Sequence, residues 1–276
     1  MSSEVLKICD PWQYHSNFLN ESVYPNGRSV ESFRPISLQM GVKVSAAGSS
    51  LARQGSATVT CIIEPFLGVT SDSPSIIPHL RAVATISQTV VGEAEVMTHQ
   101  LIDQNAFCTK DSLKTANGRL TWILHLHIMI LDTDGAVFDA LVTSIIGALY
   151  NLRLPYVTST CDPDIPININ EIKLGEELFP VELSNIPVSC TFIVYEEKDK
   201  EAKILCDPIS ELFELLPNIV TVVVGNNGVL FRIAQNGTCG NVKTIQRMVE
   251  IATGRQKIIA NSMMEAKKQS LNSSRK

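Results

Sequence analysis

The chain has 276 residues, enough to bury a sizeable core as one large domain or two tightly packed halves, and its 45% hydrophobic and 18% charged content suits a globular protein poor in surface charge. The net charge of −5 hides an asymmetry: residues 241–276 carry +6 and residues 1–240 carry −11, so only the C-terminal segment offers nucleic acid a basic stretch, and a solvated helix face is the plainer reading of it. Seven scattered cysteines without a C-x-x-C pair argue against a disulfide framework or a zinc site, and with no signal-peptide pattern and no run near the ~20 apolar residues of a spanning helix, the expectation is a soluble, intracellular protein with no membrane partner.

Asp10-Pro11-Trp12-Gln13 has the order of a capping box, and Tyr14 and Phe18 then share one face of a short helix. Tyr24-Pro25-Asn26-Gly27-Arg28 is turn chemistry. Strand-like runs follow at Lys43–Arg53 and Ser56–Glu64, and residues 65–80, with Pro65, Gly68, Pro74 and Pro78, read as a loop. Gly92–Gln104 reads as a helix with Val96, Leu101 and Ile102 inward. A buried strand, Leu120–Leu131, leads through Asp132-Thr133-Asp134-Gly135 into a helix, Ala136–Leu152. Leu154-Pro155 opens a polar, proline-bearing connection to about Pro187, which divides the chain into a first part, 1–187, and a second, 188–270, before a disordered tail, 271–276.

The second part is strand-rich. Val188–Tyr195 and Lys203–Cys206 flank a charged turn at Glu196–Lys200, and Val220–Val224 and Val229–Ile233 are joined as a hairpin by Gly225-Asn226-Asn227-Gly228. A helix from Asn241 to about Lys268 keeps Ile245, Val249, Ala252, Ile259 and Met263 at helical spacing, with Gly254 as an interruption. The fold class is α+β, with antiparallel and mixed sheets backed by helices and a strand, strand, helix rhythm common to both halves.

A glycine turn feeding a helix N-terminus is a ready anion site, because free N–H groups and the helix dipole both favour negative charge. After Gly135, however, come Ala136, Val137, Phe138 and Asp139: no basic or hydroxyl residue, and a carboxylate where a phosphate would approach. His125 and His127 share a strand face but lack a third ligand at metal spacing, so a structural role is expected. Gly225–Gly228 lacks the Lys and Ser/Thr of a nucleotide loop, and Gly237-Thr238-Cys239-Gly240 is an entry turn. Ser56, Ser144 and Ser189 have no strained elbow or paired histidine, and the carboxylate pairs Glu176-Glu177 and Glu196-Glu197 sit in polar loops. Arg28, Arg53, Arg81 and Arg119 are open to two roles, contact with RNA phosphate or an ion pair at an interface.

In order and spacing, several of these landmarks resemble the RNase PH family. They are Asp10–Tyr14, Tyr24–Arg28, the stretch Ala47–Val59 (AGSSLARQGSATV), Leu131–Gly135 with Asp139-Ala140, Leu154-Pro155 and Cys206-Asp207-Pro208. Within it the resemblance is to the inactive ring subunits of the eukaryotic RNA exosome, and it implies an RNase PH fold, related to the second domain of ribosomal protein S5. Active members phosphorolyse RNA from its 3′ end. They hold phosphate with an arginine three residues after the turn glycine, here Phe138, and bind a metal through two aspartates that align with Phe213 and Ile219. Relatives that grip single-stranded RNA place arginines on the helix matching Glu93–Gln104, where this chain has His99, Gln100, Asp103 and Gln104.

What the resemblance implies is a non-catalytic structural subunit with no catalytic residue, metal or cofactor of its own. Its partners would be the other RNase PH-like ring subunits, S1- and KH-domain cap proteins, a separate hydrolytic exoribonuclease and single-stranded RNA in the assembled channel. Lys110, Lys114 and Arg119 are the candidate RNA contacts. The alternative is an active phosphorolytic exoribonuclease with a site shared across a subunit boundary. The compartments expected are nucleus, nucleolus and cytoplasm. Exposed strand edges template self-association, so the isolated chain is expected to be poorly soluble or to self-associate.

Overall fold

The computed structural model describes residues 3–70, 75–158, 172–195, 202–238 and 240–273. Its N-terminal helices are α1 (Ser3–Cys9) and α2 (Pro11–Asn20). The Asp10 side chain caps α2 by accepting the Gln13 N–H at 2.9 Å, while the Gln13 side chain donates to Asn17 instead of closing a capping box. Tyr14 and Phe18 meet edge to face at 5.1 Å.

Five strands, β1 (Ile36–Met40), β2 (Gly48–Gln54), β3 (Ala57–Val69), β4 (Ile76–Ala82) and β5 (Leu120–Asp132), form one sheet in the order β1-β2-β3-β5-β4. Only β4 runs parallel to its neighbour, because α3 (Gln88–Asp103) carries the chain across between β4 and β5. Residues 65–80 are therefore largely strand, contrary to the loop expected there. Both prolines have open positions to occupy. Pairing of β2 with β3 ends at Ile63, so Pro65 lies where β3 bonds only β5, and Pro78 lies on the edge strand β4. The strand expected from Lys43 begins only at Gly48, and β1 was not anticipated.

Helix α3 turns its Val91, Ala94, Thr98 and Leu101 inward, while Val96 is 55% exposed and so is not on the inner face. After β5, helix α4 (Val137–Tyr150) is buried from Val137 through Leu149, because it lies between β2 and β3 on one side and the later strand Val188–Tyr195 on the other. A helix apolar on most of its surface belongs in such a position. Ser50 on β2 donates to the Ser144 carbonyl of this helix at 2.5 Å.

The connection after Leu154 is not structureless. It contains β6 (Arg153–Thr158) and β7 (Lys173–Pro180), paired as a separate two-stranded sheet. A second sheet follows in the order β11-β10-β8-β9, from β8 (Val188–Tyr195), β9 (Lys203–Cys206), β10 (Ile219–Val224) and β11 (Leu230–Asn236), with α5 (Ser210–Leu215) between β9 and β10. All eight residues of β8 are buried. One side of this sheet meets α4 and α6 (Val242–Ser273), and a smaller cluster of Leu19, Tyr24, Val30, Leu205 and Leu212 gathers with Ile193 and Tyr195 of β8. Burial on both faces suits a strand this rich in apolar residues, and its Ser189 and Thr191 are buried with hydrogen-bond partners.

Asn226–Gly228 turns between β10 and β11, with Asn227 at φ +57° and Gly228 at φ +75°. Helix α6 passes Gly254 without a break and is helical to Ser273, so the tail expected to be disordered from residue 271 is helical there, and 274–276 lie outside the described residues. The expected turn at Glu196–Lys200 also lies outside them. Among the described residues no helix is long and apolar enough to cross a membrane.

Candidate functional site

The Gly135 turn is pinned from two directions. Gly135 has φ +75°, and a Cβ placed on it would lie 2.2 Å from the Pro208 carbonyl oxygen and 3.0 Å from the Phe213 ring. Only glycine fits the conformation and the space together. The contact brings the entry to α4 against the start of α5, and a cleft of about 630 Å³ opens beside it.

Phe138, Phe213 and Ile219, 81 positions apart at their extremes, all line this cleft. Phe138 is 4% exposed, and its ring forms part of the main core as well as of the cleft wall. Val90, Val96 and Met97 of α3 add to the apolar lining, while Glu93 and Arg232 supply charged groups. The Val137 N–H donates to the Gly135 carbonyl at 2.8 Å and the Asp139 N–H to that of Ala136 at 3.2 Å, so two first-turn donors of α4 are already engaged. Among the described residues no cluster of three His, Cys, Asp or Glu has a metal-binding arrangement.

Asp139 does not stand in the path of a phosphate, as its position after Phe138 suggests. It is 1% exposed and points into β8. Its Oδ1 accepts from the Ser189 hydroxyl at 2.6 Å and the Thr191 hydroxyl at 3.0 Å, and its Oδ2 accepts the Thr191 N–H at 2.9 Å. Burial pushes its pKa up to about 6, with nearby Asp207 adding to the rise, while the Ser189 and Thr191 bonds and Arg255 oppose it. This carboxylate ties the first turn of α4 to the second sheet.

A buried ionic network stands behind the turn. Arg34 donates to Asp207 from its backbone N–H, Nε and Nη2, each at 2.8 Å, and its Nη2 also donates to the Asp134 carbonyl at 3.0 Å. Arg28, offered by the sequence as a possible RNA contact, is turned inward: its guanidinium donates to the carbonyls of Ser32, Cys206 and Asp207 and lies 4.1 Å over the Tyr24 ring.

The remaining sequence candidates are elsewhere. Lys110 and Lys114 flank a short 3-10 turn, and Arg119 precedes β5, so the three share one surface segment outside the cleft. Lys114 Nζ is paired with Asp111 at 2.7 Å. His125 and His127 do share a face of β5, and His79 joins them across the parallel register, where it pairs with His127. Sequence spacing could not show this trio, because His79 reaches its partners only through the β4–β5 pairing. Asp207 was also missed as a central group, although its place in Cys206-Asp207-Pro208 marked the segment.

With this geometry in view, comparison with known proteins is direct. Residues 32–155 match the family described as the 3′ exoribonuclease family, domain 1 (RNase PH). The chain is 28% identical over 265 residues to the exosome complex component rrp43 of Schizosaccharomyces pombe, covering 90% of this chain and 93% of that one. It is 25% identical over 276 residues to the exosome complex component Rrp42 of Pyrococcus furiosus, covering 92% and 94%. Among solved structures, an archaeal exosome core subunit superposes with a TM-score of 0.72 at 19% identity, covering 95% of this chain and 98% of that chain. Rrp46 of rice (Oryza sativa) superposes with a TM-score of 0.62 at 15% identity, covering 87% and 97%. The five-stranded sheet, the buried central helix and the glycine turn at its head thus lie within the part of the chain, residues 32–155, that matches domain 1 of the RNase PH family, and the chain as a whole has the fold of the exosome core structures it superposes on.

Proposed function

We propose that this chain is a non-catalytic subunit of an exosome core ring, supporting 3′-to-5′ RNA processing and degradation as scaffold. The observation that carries the reading is the convergence of Phe138, Phe213 and Ile219 on one cleft. These are the positions at which the family's phosphate and metal ligands align, and they meet here as two phenyl rings and an aliphatic chain. None offers a cation to phosphate or an oxygen to Mg²⁺. In this reading the cleft has the place of a phosphorolytic site, with an apolar wall where the ligands would stand and with Glu93 and Arg232 as its charged lining residues.

In this reading the chain closes a ring with other RNase PH-like subunits, beneath S1- and KH-domain cap proteins. Single-stranded RNA passes through the assembled channel to a separate hydrolytic exoribonuclease. Lys110, Lys114 and Arg119 supply at most glancing backbone contacts, and the subunit works in nucleus, nucleolus and cytoplasm, which imaging of a tagged chain would test.

The experiment is purification of a tagged chain from native extract, with quantitative mass spectrometry. Equal recovery of several RNase PH-like chains with S1- or KH-domain proteins is expected. Recovery of the chain alone or as a homo-oligomer would overturn the ring reading. The purified assembly is then given single-stranded RNA and inorganic phosphate. Nucleoside diphosphate release that disappears when this chain's cleft residues are replaced would make it an active phosphorolytic subunit instead.

A further inference from the structure

Arg232 lines the cleft with nothing to bind. Its side chain is partly buried, its Nε is closed off from solvent, and no described residue hydrogen-bonds or ion-pairs with it. A buried donor without an acceptor carries a desolvation cost that a ligand's oxygen would relieve. The scaffold reading gives this arginine no role.

Strand register sets what stands around it. Arg232, Ala234 and Asn236 alternate along β11 and share its cleft-lining face, where Thr221 of β10 is opposite Ala234 and Ile219 is opposite Asn236. Phe138 and Phe213 add their rings, and α3 adds Val96, 55% exposed, together with Glu93. Glu93 is exposed and forms no ion pair with Arg232. The cleft thus combines an apolar wall with a cation from the sheet and a carboxylate from the helix, each unpaired among the described residues. β11 has one strand neighbour, β10, so its other edge is open to an added strand.

We propose that this cleft recognises a short extended segment of a partner protein, in which a bulky apolar side chain is flanked by an acidic and a basic residue. The apolar side chain packs against Phe213 and Ile219, the carboxylate meets Arg232, and the basic residue meets Glu93. The inference rests on the non-catalytic reading of the cleft and gives that cleft a partner.

Three observations select a peptide as occupant. The cleft's volume of about 630 Å³ is that of a ligand site, for which ~300–1,000 Å³ is usual. Its two charges are of opposite sign and come from different elements, so they match a segment that carries both. The open edge of β11 suits an extended backbone, which binds by adding a strand while its side chains fill pockets. Nucleic acid fits less well. Arg232 is the single cation lining the cleft, and Glu93 and Glu95 are exposed on α3, whereas a nucleic-acid backbone requires a cluster of cations.

The test uses the purified assembly that contains the tagged full chain, panned against a display library of random octapeptides. Peptides enriched on the wild type and lost on Arg232→Glu are expected to carry a bulky apolar residue with Asp or Glu within two positions and Lys or Arg on its other side. One of them, synthesised, is expected to bind the wild type at least tenfold more tightly than Arg232→Glu or Glu93→Lys. Ile258→Glu on α6, 68% exposed and outside the cleft, is expected to bind it as the wild type does. Changing the peptide's acidic residue to lysine is expected to restore binding to Arg232→Glu and abolish it on the wild type, a reversal that a merely misfolded variant cannot give.

No peptide set that separates the wild type from Arg232→Glu, or a set without carboxylates, would overturn the inference. Displacement of the peptide by an equal concentration of single-stranded oligoadenylate would give the cleft to nucleic acid and overturn the choice of partner. The non-catalytic reading beneath it fails by a different sign, nucleoside diphosphate release that depends on the cleft residues.

Discussion

Arg34 and Asp207, 173 positions apart, are joined by three hydrogen bonds of 2.8 Å, two from the guanidinium and one from the Arg34 backbone N–H. The pair fastens the strand entry of the first sheet to the segment that follows β9. The Asp207 side chain is fully buried and that of Arg34 is 9% exposed, so neither charge has water to fall back on. Burial alone would raise the Asp207 pKa, but the Arg34 hydrogen bonds and charge outweigh it and hold the carboxyl below its ordinary value. Arg34→Met is expected to cost about 3–5 kcal/mol, since it strands a buried carboxylate. Arg34→Met/Asp207→Asn should recover part of that loss, because asparagine tolerates the φ of +50° at this position without carrying a charge. Urea unfolding of the three proteins measures both. The depressed pKa also fixes the sign with acid: the contribution of Asp207 is present above the ordinary carboxylate value and is lost as pH falls through the folded one.

Asp139 has the opposite sign. Its folded pKa of about 6 exceeds the unfolded 3.8, so between those values the folded chain holds a proton that the unfolded chain has released. This group therefore costs stability as pH rises from 4 to 6, by roughly 3 kcal/mol at neutral pH. Asp139→Asn removes the titration and keeps the shape. Its amide oxygen can accept the Thr191 N–H, while its NH₂ donates to the Ser189 and Thr191 hydroxyl oxygens. The variant is expected to lose the downward slope in urea midpoint between pH 4.5 and 6.5 that this residue gives the wild type. Parallel curves for the two proteins would show that the carboxylate is ionised throughout.

Much of this architecture was legible because its signals are local. The strand-like run at Val188–Tyr195 and the Gly-Asn-Asn-Gly turn after Val224 each match the structure to within a residue or two. The errors arose where a local signal had a remote answer. Pro65 and Pro78 punctuate the sequence like a loop, yet each is tolerated in a strand whose hydrogen-bonding side is open, and that depends on where β2 and β4 lie. The site behaved likewise. The resemblance assigned Phe138, Phe213 and Ile219 one by one, and folding brought them to one cleft. The histidine trio and the orientation of Asp139 depend on inter-strand register and helix docking, which no spacing along the chain encodes.

Gly135 and Gly254 should respond oppositely to the same substitution. At Gly135 an added methyl would meet the Pro208 carbonyl oxygen at 2.2 Å, in a backbone conformation of φ +75° that alanine disfavours by ~1–2 kcal/mol before any clash. Gly135→Ala is therefore expected to destabilise by at least about 2 kcal/mol and to loosen the contact between the α4 entry and α5. Gly254 is exposed within α6 and has nothing within 4 Å of its added Cβ, so Gly254→Ala should stabilise by roughly 0.5–1 kcal/mol through helix propensity alone. Thermal melts of both variants beside the wild type decide the pair, and a neutral Gly135→Ala would refute the steric account of the turn.

Phe138→Arg replaces a core-facing phenyl ring with the cation that the resemblance to the RNase PH family implies for a phosphate site at this position. Phe138 belongs to the main core, so lost packing and a half-desolvated charge together should cost on the order of 3 kcal/mol. Phosphorolysis should not return. Even with phosphate held, the two positions that the resemblance implies for the metal ligands remain Phe213 and Ile219, whose side chains line the cleft and carry no oxygen. In the assembled complex, given single-stranded RNA and inorganic phosphate, the variant is expected to release no nucleoside diphosphate above the wild-type background. Release from the single variant would mean that the metal ligands come from elsewhere, and a shared site at a subunit boundary would then replace the scaffold reading.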